Sequence, residues 1–106
     1  MKALEIHVDN SSDRISVRLA GEFDISGVRD FHRVLARVQE EAPEGICIDL
    51  RELTFMGATG VRALLDLQAR ARRDGFELTV VKGPRLVQRV FEMTGVDRRL
   101  ALVDEP

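Results

Sequence analysis

GICIDLRELTFMGATGVRALLDLQARARR, Gly45 to Arg73, is the stretch in which the hydrophobic period changes, and that change decides the fold. It opens on Ile46-Cys47-Ile48, with Leu50 two further on. A short apolar run bounded by turn residues fits a strand buried on both faces of a sheet, with Cys47 a small buried hydrophobe within it. Asp49 to Thr54 is expected to carry the chain across the top of that strand, with Phe55-Met56 as a short apolar return. Gly57-Ala58-Thr59-Gly60 reads as a small-residue turn. From Val61 the period becomes helical. Val61, Leu64, Leu65 and Ala69 form a stripe that Leu67 and Ala71 widen, while Arg62, Asp66, Arg70 and Arg73 fall on the other side. Asp66 lies one helical turn from both Arg62 and Arg70, so the outer side carries favourable pairs. The unit is strand, loop, helix. Its turn sits at a helix N-terminus, where unpaired N–H groups and the positive dipole end point outward. Recognition is expected at that tip.

Outward from this unit, Leu4 to Val8 alternates, with Leu4, Ile6 and Val8 on one side and Glu5 and His7 on the other. Asp9 to Asp13 is a polar turn. Arg14 to Ala20 alternates again, with Ile15, Val17 and Leu19 inward, so the two runs read as a hairpin. Gly21-Glu22-Phe23-Asp24 ends the second strand, and Asp24 or Ser26 can cap a helix striped by Val28, Phe31, Leu35 and Val38. Ala42 to Gly45 breaks that helix. Beyond the central unit, Asp74-Gly75 stops the second helix. Leu78, Val80 and Val81 make another strand. Lys82-Gly83-Pro84 leads to a third helix, with Pro84 suited to its first position. Leu86, Val87, Val90 and Phe91 pack that helix, Gly95 closes it, and Leu100 to Val103 is a candidate last strand. The predicted fold class is α/β. One domain spans residues 1–106, with a mixed sheet of four to five strands packed with three or more α-helices, its strand–helix–strand crossovers parallel.

The 106 residues suit one modest core, and 44% of them are hydrophobic, too many for a disordered chain. The net charge of -2, with both signs mixed, argues against direct DNA binding. No apolar run is long enough to span a membrane, and residues 1–10 carry no secretory pattern, so a cytoplasmic protein is expected. His7 and His32 belong to no spaced Cys/His cluster, so no metal site is expected. No Gly-x-Ser-x-Gly elbow is present and Cys47 lies inside a strand, so no catalytic residue is assigned and the protein is read as a non-enzyme without cofactors. Glu22, Asp24 and Asp49 are candidates to gather at the loop end of the sheet. Gly57 to Gly60 suits an anion in composition but lacks the Gly-Lys-Ser/Thr signature, which leaves a nucleotide-binding domain as a low-ranked reading. Arg70, Arg72 and Arg73, and later Lys82, Arg85, Arg89, Arg98 and Arg99, read as a solvated basic face.

Three stretches carry a family resemblance. They are Leu19-Ala20-Gly21-Glu22-Phe23-Asp24, Ile48-Asp49-Leu50 through Phe55 to Val61, and Val90 to Val96. In this order and spacing the chain resembles the STAS domain of bacterial anti-sigma factor antagonists over nearly its whole length. The resemblance implies a small α/β protein that binds an anti-sigma factor of the serine kinase type and frees a sigma factor. It also implies a phosphorylation switch at the tip, where the family typically has Asp-Ser-Ser/Thr-Gly with the first serine as acceptor. Here Gly57, Ala58, Thr59 and Gly60 stand at those positions, so the usual switch is expected to be lost, with Thr59 the fallback phosphorylation site. Partner binding is expected to use Glu22, Asp24 and Ser26 with Met56, Gly57, Ala58, Thr59, Gly60, Val61 and Arg62. An exposed Met56 would be an adaptable apolar contact, and the small residues would admit a partner's backbone. The alternative is a structural STAS subunit of a larger assembly such as a lipid ABC transporter.

Overall fold

The computed structural model describes residues 2–10 and 12–106; Ser11 of the first polar turn lies outside the described residues. The elements run β1 (Glu5–Asp9), β2 (Arg14–Phe23), α1 (Ile25–Glu40), β3 (Gly45–Met56), α2 (Ala58–Asp74), β4 (Glu77–Val81), α3 (Arg85–Thr94), a 3₁₀ turn (Val96–Arg98) and β5 (Leu102–Val103). The sheet order is β1-β2-β3-β4-β5. β1 pairs antiparallel with β2, as the hairpin reading expects, and every other pairing is parallel. The α/β class, the five strands and the three α-helices match the expectation.

Alternation places the core. Ile15, Val17 and Leu19 of β2 and Ile46 and Ile48 of β3 form one buried cluster with Phe31 and Leu35 of α1, Leu64 and Leu67 of α2, and Val87 and Phe91 of α3. The other sheet face is polar. Ser16, Arg18, Cys47, Asp49 and Arg51, with His7 and Pro106, line a shallow cavity of about 300 Å³ there. From Gly45 to Leu50 the central strand is buried or half-buried on both faces, but its second face is lined by polar groups, and Cys47 is half-buried there rather than sealed in the core.

The sequence reading of Asp49 to Thr54 as a crossing loop is corrected: these residues continue β3, which is twelve residues long. β2 also runs on, to Phe23, and pairs with β3 as far as Met56, so Asp49 and Glu52 have ladder partners in Arg18 and Ala20. Register shifts between Arg18 and Ala20 and between Gly21 and Glu22 break the alternation. Leu50, Leu53 and Met56 are buried at a spacing of three, which hid the strand. Gly21, at φ 93°, sits at one shift, and a side chain there would meet the Ala3 carbonyl oxygen at 2.5 Å. Arg18 reaches across to Glu52 at 2.6 Å.

The helices need smaller corrections. α2 begins at Ala58, so Ala58, Thr59 and Gly60 are its first turn rather than a turn before it. Ala69 is exposed and Ala63 is buried in its place. Gly75 (φ 82°) and Gly95 (φ 75°) close α2 and α3 in the left-handed region, as expected. Pro84 is the N-cap of α3 rather than its first residue, and Leu86 is 68% exposed instead of packed.

Candidate functional site

Because β2 and β3 are parallel and end together at Phe23 and Met56, the β2–α1 corner and the start of α2 lie side by side. The Gly57 N–H donates to the Phe23 carbonyl at 3.0 Å and fastens the two corners. α1 opens with the Gly27 N–H donating to the Asp24 carbonyl at 2.9 Å, and α2 with the Val61 N–H donating to the Gly57 carbonyl at 3.1 Å.

Asp24 is the N-cap of α1, but its side chain makes no capping bond. The carboxylate turns instead to the neighbouring corner, where Thr59 Oγ1 donates to Asp24 Oδ1 at 2.6 Å. A Cβ at position 57 would stand 2.2 Å from Asp24 Oδ1, so glycine there is what lets the carboxylate lie across the start of α2. A Cβ at position 60 would stand 2.4 Å from the Phe23 carbonyl oxygen and 2.9 Å from Met56 Sδ. Gly60 is therefore glycine for close approach of helix to strand, not for an unusual backbone angle. The space that a Cβ would take at either glycine is filled by the chain itself.

Met56 is only 3% exposed and packs in the core, which corrects its expected role as an exposed contact. The shifted register of β2 and β3 turns Met56 inward and Phe55 outward, leaving Phe55 47% exposed. Gly60 and Val61 are also buried. The residues with surface at the tip are Glu22, Asp24, Ser26, Gly57, Ala58, Thr59 and Arg62, with Asp24, Glu22, Gly57 and Thr59 half-buried. Two residues that sequence reasoning missed join them. Ile25, 77% exposed, and Phe55 line a groove of about 460 Å³ together with Glu22, Asp24 and Ser26. Ile25 was legible as an apolar residue outside the α1 stripe; Phe55 needed the register.

Asp49 does not join Glu22 and Asp24. It lies mid-strand on the polar face, its side chain 8% exposed, gripped by Arg51 through Nε and Nη2, the latter at 2.8 Å. Burial pushes its carboxyl up, but hydrogen bonds and charge from Arg51 and the charge of Arg18 outweigh this and hold it below the ordinary value. Among the described residues no group of three or more His, Cys, Asp and Glu side chains could hold a metal ion, and no helix is long and apolar enough to cross a membrane.

The double corner thus presents an apolar pair flanked by carboxylates. Comparisons with known proteins agree on the fold. The chain is 26% identical over 95 residues to the anti-sigma-F factor antagonist RsfA of Mycobacterium tuberculosis, covering 88% of this chain and 74% of that protein. It is 23% identical over 93 residues to the anti-sigma-B factor antagonist of Staphylococcus aureus, covering 88% and 86%. The crystal structure of an anti-sigma factor antagonist from Mycobacterium paratuberculosis superposes with a TM-score of 0.81 at 20% identity, covering 97% of this chain and 87% of that one. Bacillus SpoIIAA in its phosphorylated form superposes at 0.74 and 17% identity, covering 96% and 92%. Residues 6–104 match the pattern of the family described as "Mlab, STAS domain". The chain therefore belongs to the STAS domain family.

Proposed function

We propose that this chain is an anti-sigma factor antagonist: a single cytoplasmic domain that acts by binding, not catalysis, on an anti-sigma factor of the serine kinase type. The observation that carries the reading is the exposed Ile25–Phe55 pair beside Glu22 and Asp24, on corners joined by the Thr59–Asp24 hydrogen bond. Large apolar side chains in a fixed groove are the usual anchors of a protein interface. Rigid corners reduce the ordering cost on binding. The kinship with RsfA and with the Staphylococcus antagonist supports an anti-sigma factor as the partner.

Regulation departs from the family resemblance. Ala58 is exposed at the acceptor position and has no hydroxyl. The Thr59 hydroxyl is already engaged by Asp24. A kinase would have to break that bond and add about -1.5 to -2 charge beside an existing carboxylate. The tip thus works as a docking surface without the phosphoryl off-switch. Affinity capture with the purified chain, followed by intact-mass measurement after incubation with the captured kinase and ATP, tests both parts. Recovery of a serine-kinase-type anti-sigma factor and an unshifted mass are expected; stoichiometric phosphate on Thr59 would overturn the regulatory part.

The missing acceptor favours a second reading, a subunit of a larger assembly such as a lipid ABC transporter, where contact is permanent and needs no switch. Recovery of transporter subunits in place of a kinase would establish it.

A further inference from the structure

α3 packs on the core through Val87 and Phe91 and turns Leu86 and Met93 outward, 68% and 79% exposed. At about 100° per residue these two point within about 20° of one another, with half-buried Val90 beside them, so they form one apolar stripe. Arg89 and Glu92 border the stripe on one side. Among the described residues neither makes a side-chain hydrogen bond or ion pair, not even with the other across three residues.

We propose that this face of α3 binds the same face of a second copy of the chain in an antiparallel, two-fold pair. The argument is one of register and charge. Place the two-fold axis between Arg89 and Val90. Leu86 and Met93 are then equally far from the axis on opposite sides, so Leu86 of each copy meets Met93 of the other. At about 1.5 Å per residue, Arg89 lies only about 3 Å along the axis from the second copy's Glu92, on the same flank of the pair. Helical side chains lean toward the N-terminus. Arg89 therefore leans away from the second copy's Arg89 and toward its Glu92. A single sequence thus supplies its own complement twice over, as an isologous contact requires. A membrane fits less well: Glu92 borders the stripe, and the chain carries net charge -2. One ten-residue helix face buries less than a standard interface, so the association is weak and concentration-dependent. The inference does not depend on the proposed tip function, since no tip residue takes part.

Sedimentation equilibrium of the full chain from micromolar to millimolar concentration tests it, with circular dichroism to confirm folding of each variant. The expected result is a monomer–dimer equilibrium whose Kd rises roughly tenfold or more in Met93→Glu, which drives a charge into the apolar seam. Leu86→Ser should weaken it in the same direction. Arg89→Glu and Glu92→Arg should each weaken self-association, and an equimolar mixture of the two should restore it as a heterodimer, because every cross-pair is then opposite in sign. Three results would overturn the proposal: a monomer across the whole range, a Kd indifferent to Met93→Glu, or a mixture no tighter than its separate components. A monomer that instead sediments with anionic phospholipid vesicles through Leu86 and Met93 would equally overturn it and assign the face to a membrane.

Discussion

Gly57→Ala is expected to destabilise the protein because the new methyl group runs into the Asp24 carboxylate. The added Cβ would lie 2.2 Å from Asp24 Oδ1, 2.3 Å from its Cγ and 2.6 Å from Oδ2. Ordinary contact begins near 3.4 Å, so the carboxylate must retreat by 3.4 − 2.2, or 1.2 Å. A retreat directed away from Thr59 stretches its 2.6 Å bond to as much as 3.8 Å, beyond hydrogen-bond reach. Hydrogen bonds to charged groups contribute about 1.5–3 kcal/mol when buried. Asp24 and Thr59 are half-buried, so about 1–2 kcal/mol is the expected cost, measured by urea unfolding. Thr59→Val removes the same bond from the other end and should cost a similar amount. If one bond carries both effects, the double variant should be no less stable than the worse single variant, a coupling of about 1–2 kcal/mol. Simple additivity of the two costs, or a neutral Gly57→Ala, would refute the reasoning.

Two further outcomes follow from the same geometry. Gly60→Ala wedges a methyl group between the Phe23 carbonyl and Met56 Sδ; overpacking of this kind costs about 1–3 kcal/mol, more than the roughly 1 kcal/mol that helix propensity returns, and differential scanning calorimetry should show a lower Tm. The Asp49 carboxyl, held below its ordinary value chiefly against the upward push of burial by Arg51 and Arg18, contributes stability that is fully present above the unfolded value near 4 and is lost as pH falls through the folded value. Urea midpoints measured between about pH 6 and about pH 2 should therefore fall less steeply for Asp49→Asn than for the native chain, and equal slopes would contradict the assignment.

Much of the fold was legible because its signals are local. Ile46 and Ile48 are central as the apolar run predicts, and Gly75 and Gly95 close their helices as glycines after periodic segments do. What failed to show depends on partners far along the chain. Asp49 to Thr54 is a strand only because β2 runs beside it to Phe23, and the register shifts in that pairing, not the sequence of β3 alone, put Met56 inside and Phe55 outside. Asp24 read as a helix cap because capping is local; its carboxylate chose Thr59, 35 residues away, and that choice explains Gly57. The Asp49–Arg51 grip was within reach, since residues two apart on a strand share a face, but it needed the strand to be recognised first.

The groove at the tip is where the functional account stands or falls. Isothermal titration of the captured anti-sigma factor with the native chain and with Phe55→Asp compares an intact groove with one that has lost its aromatic anchor. Because Phe55 is nearly half exposed at 47%, the variant should fold as the native chain does. The account predicts saturable binding by the native chain and affinity weakened by roughly tenfold or more in Phe55→Asp. Equal affinity for the two proteins would contradict it.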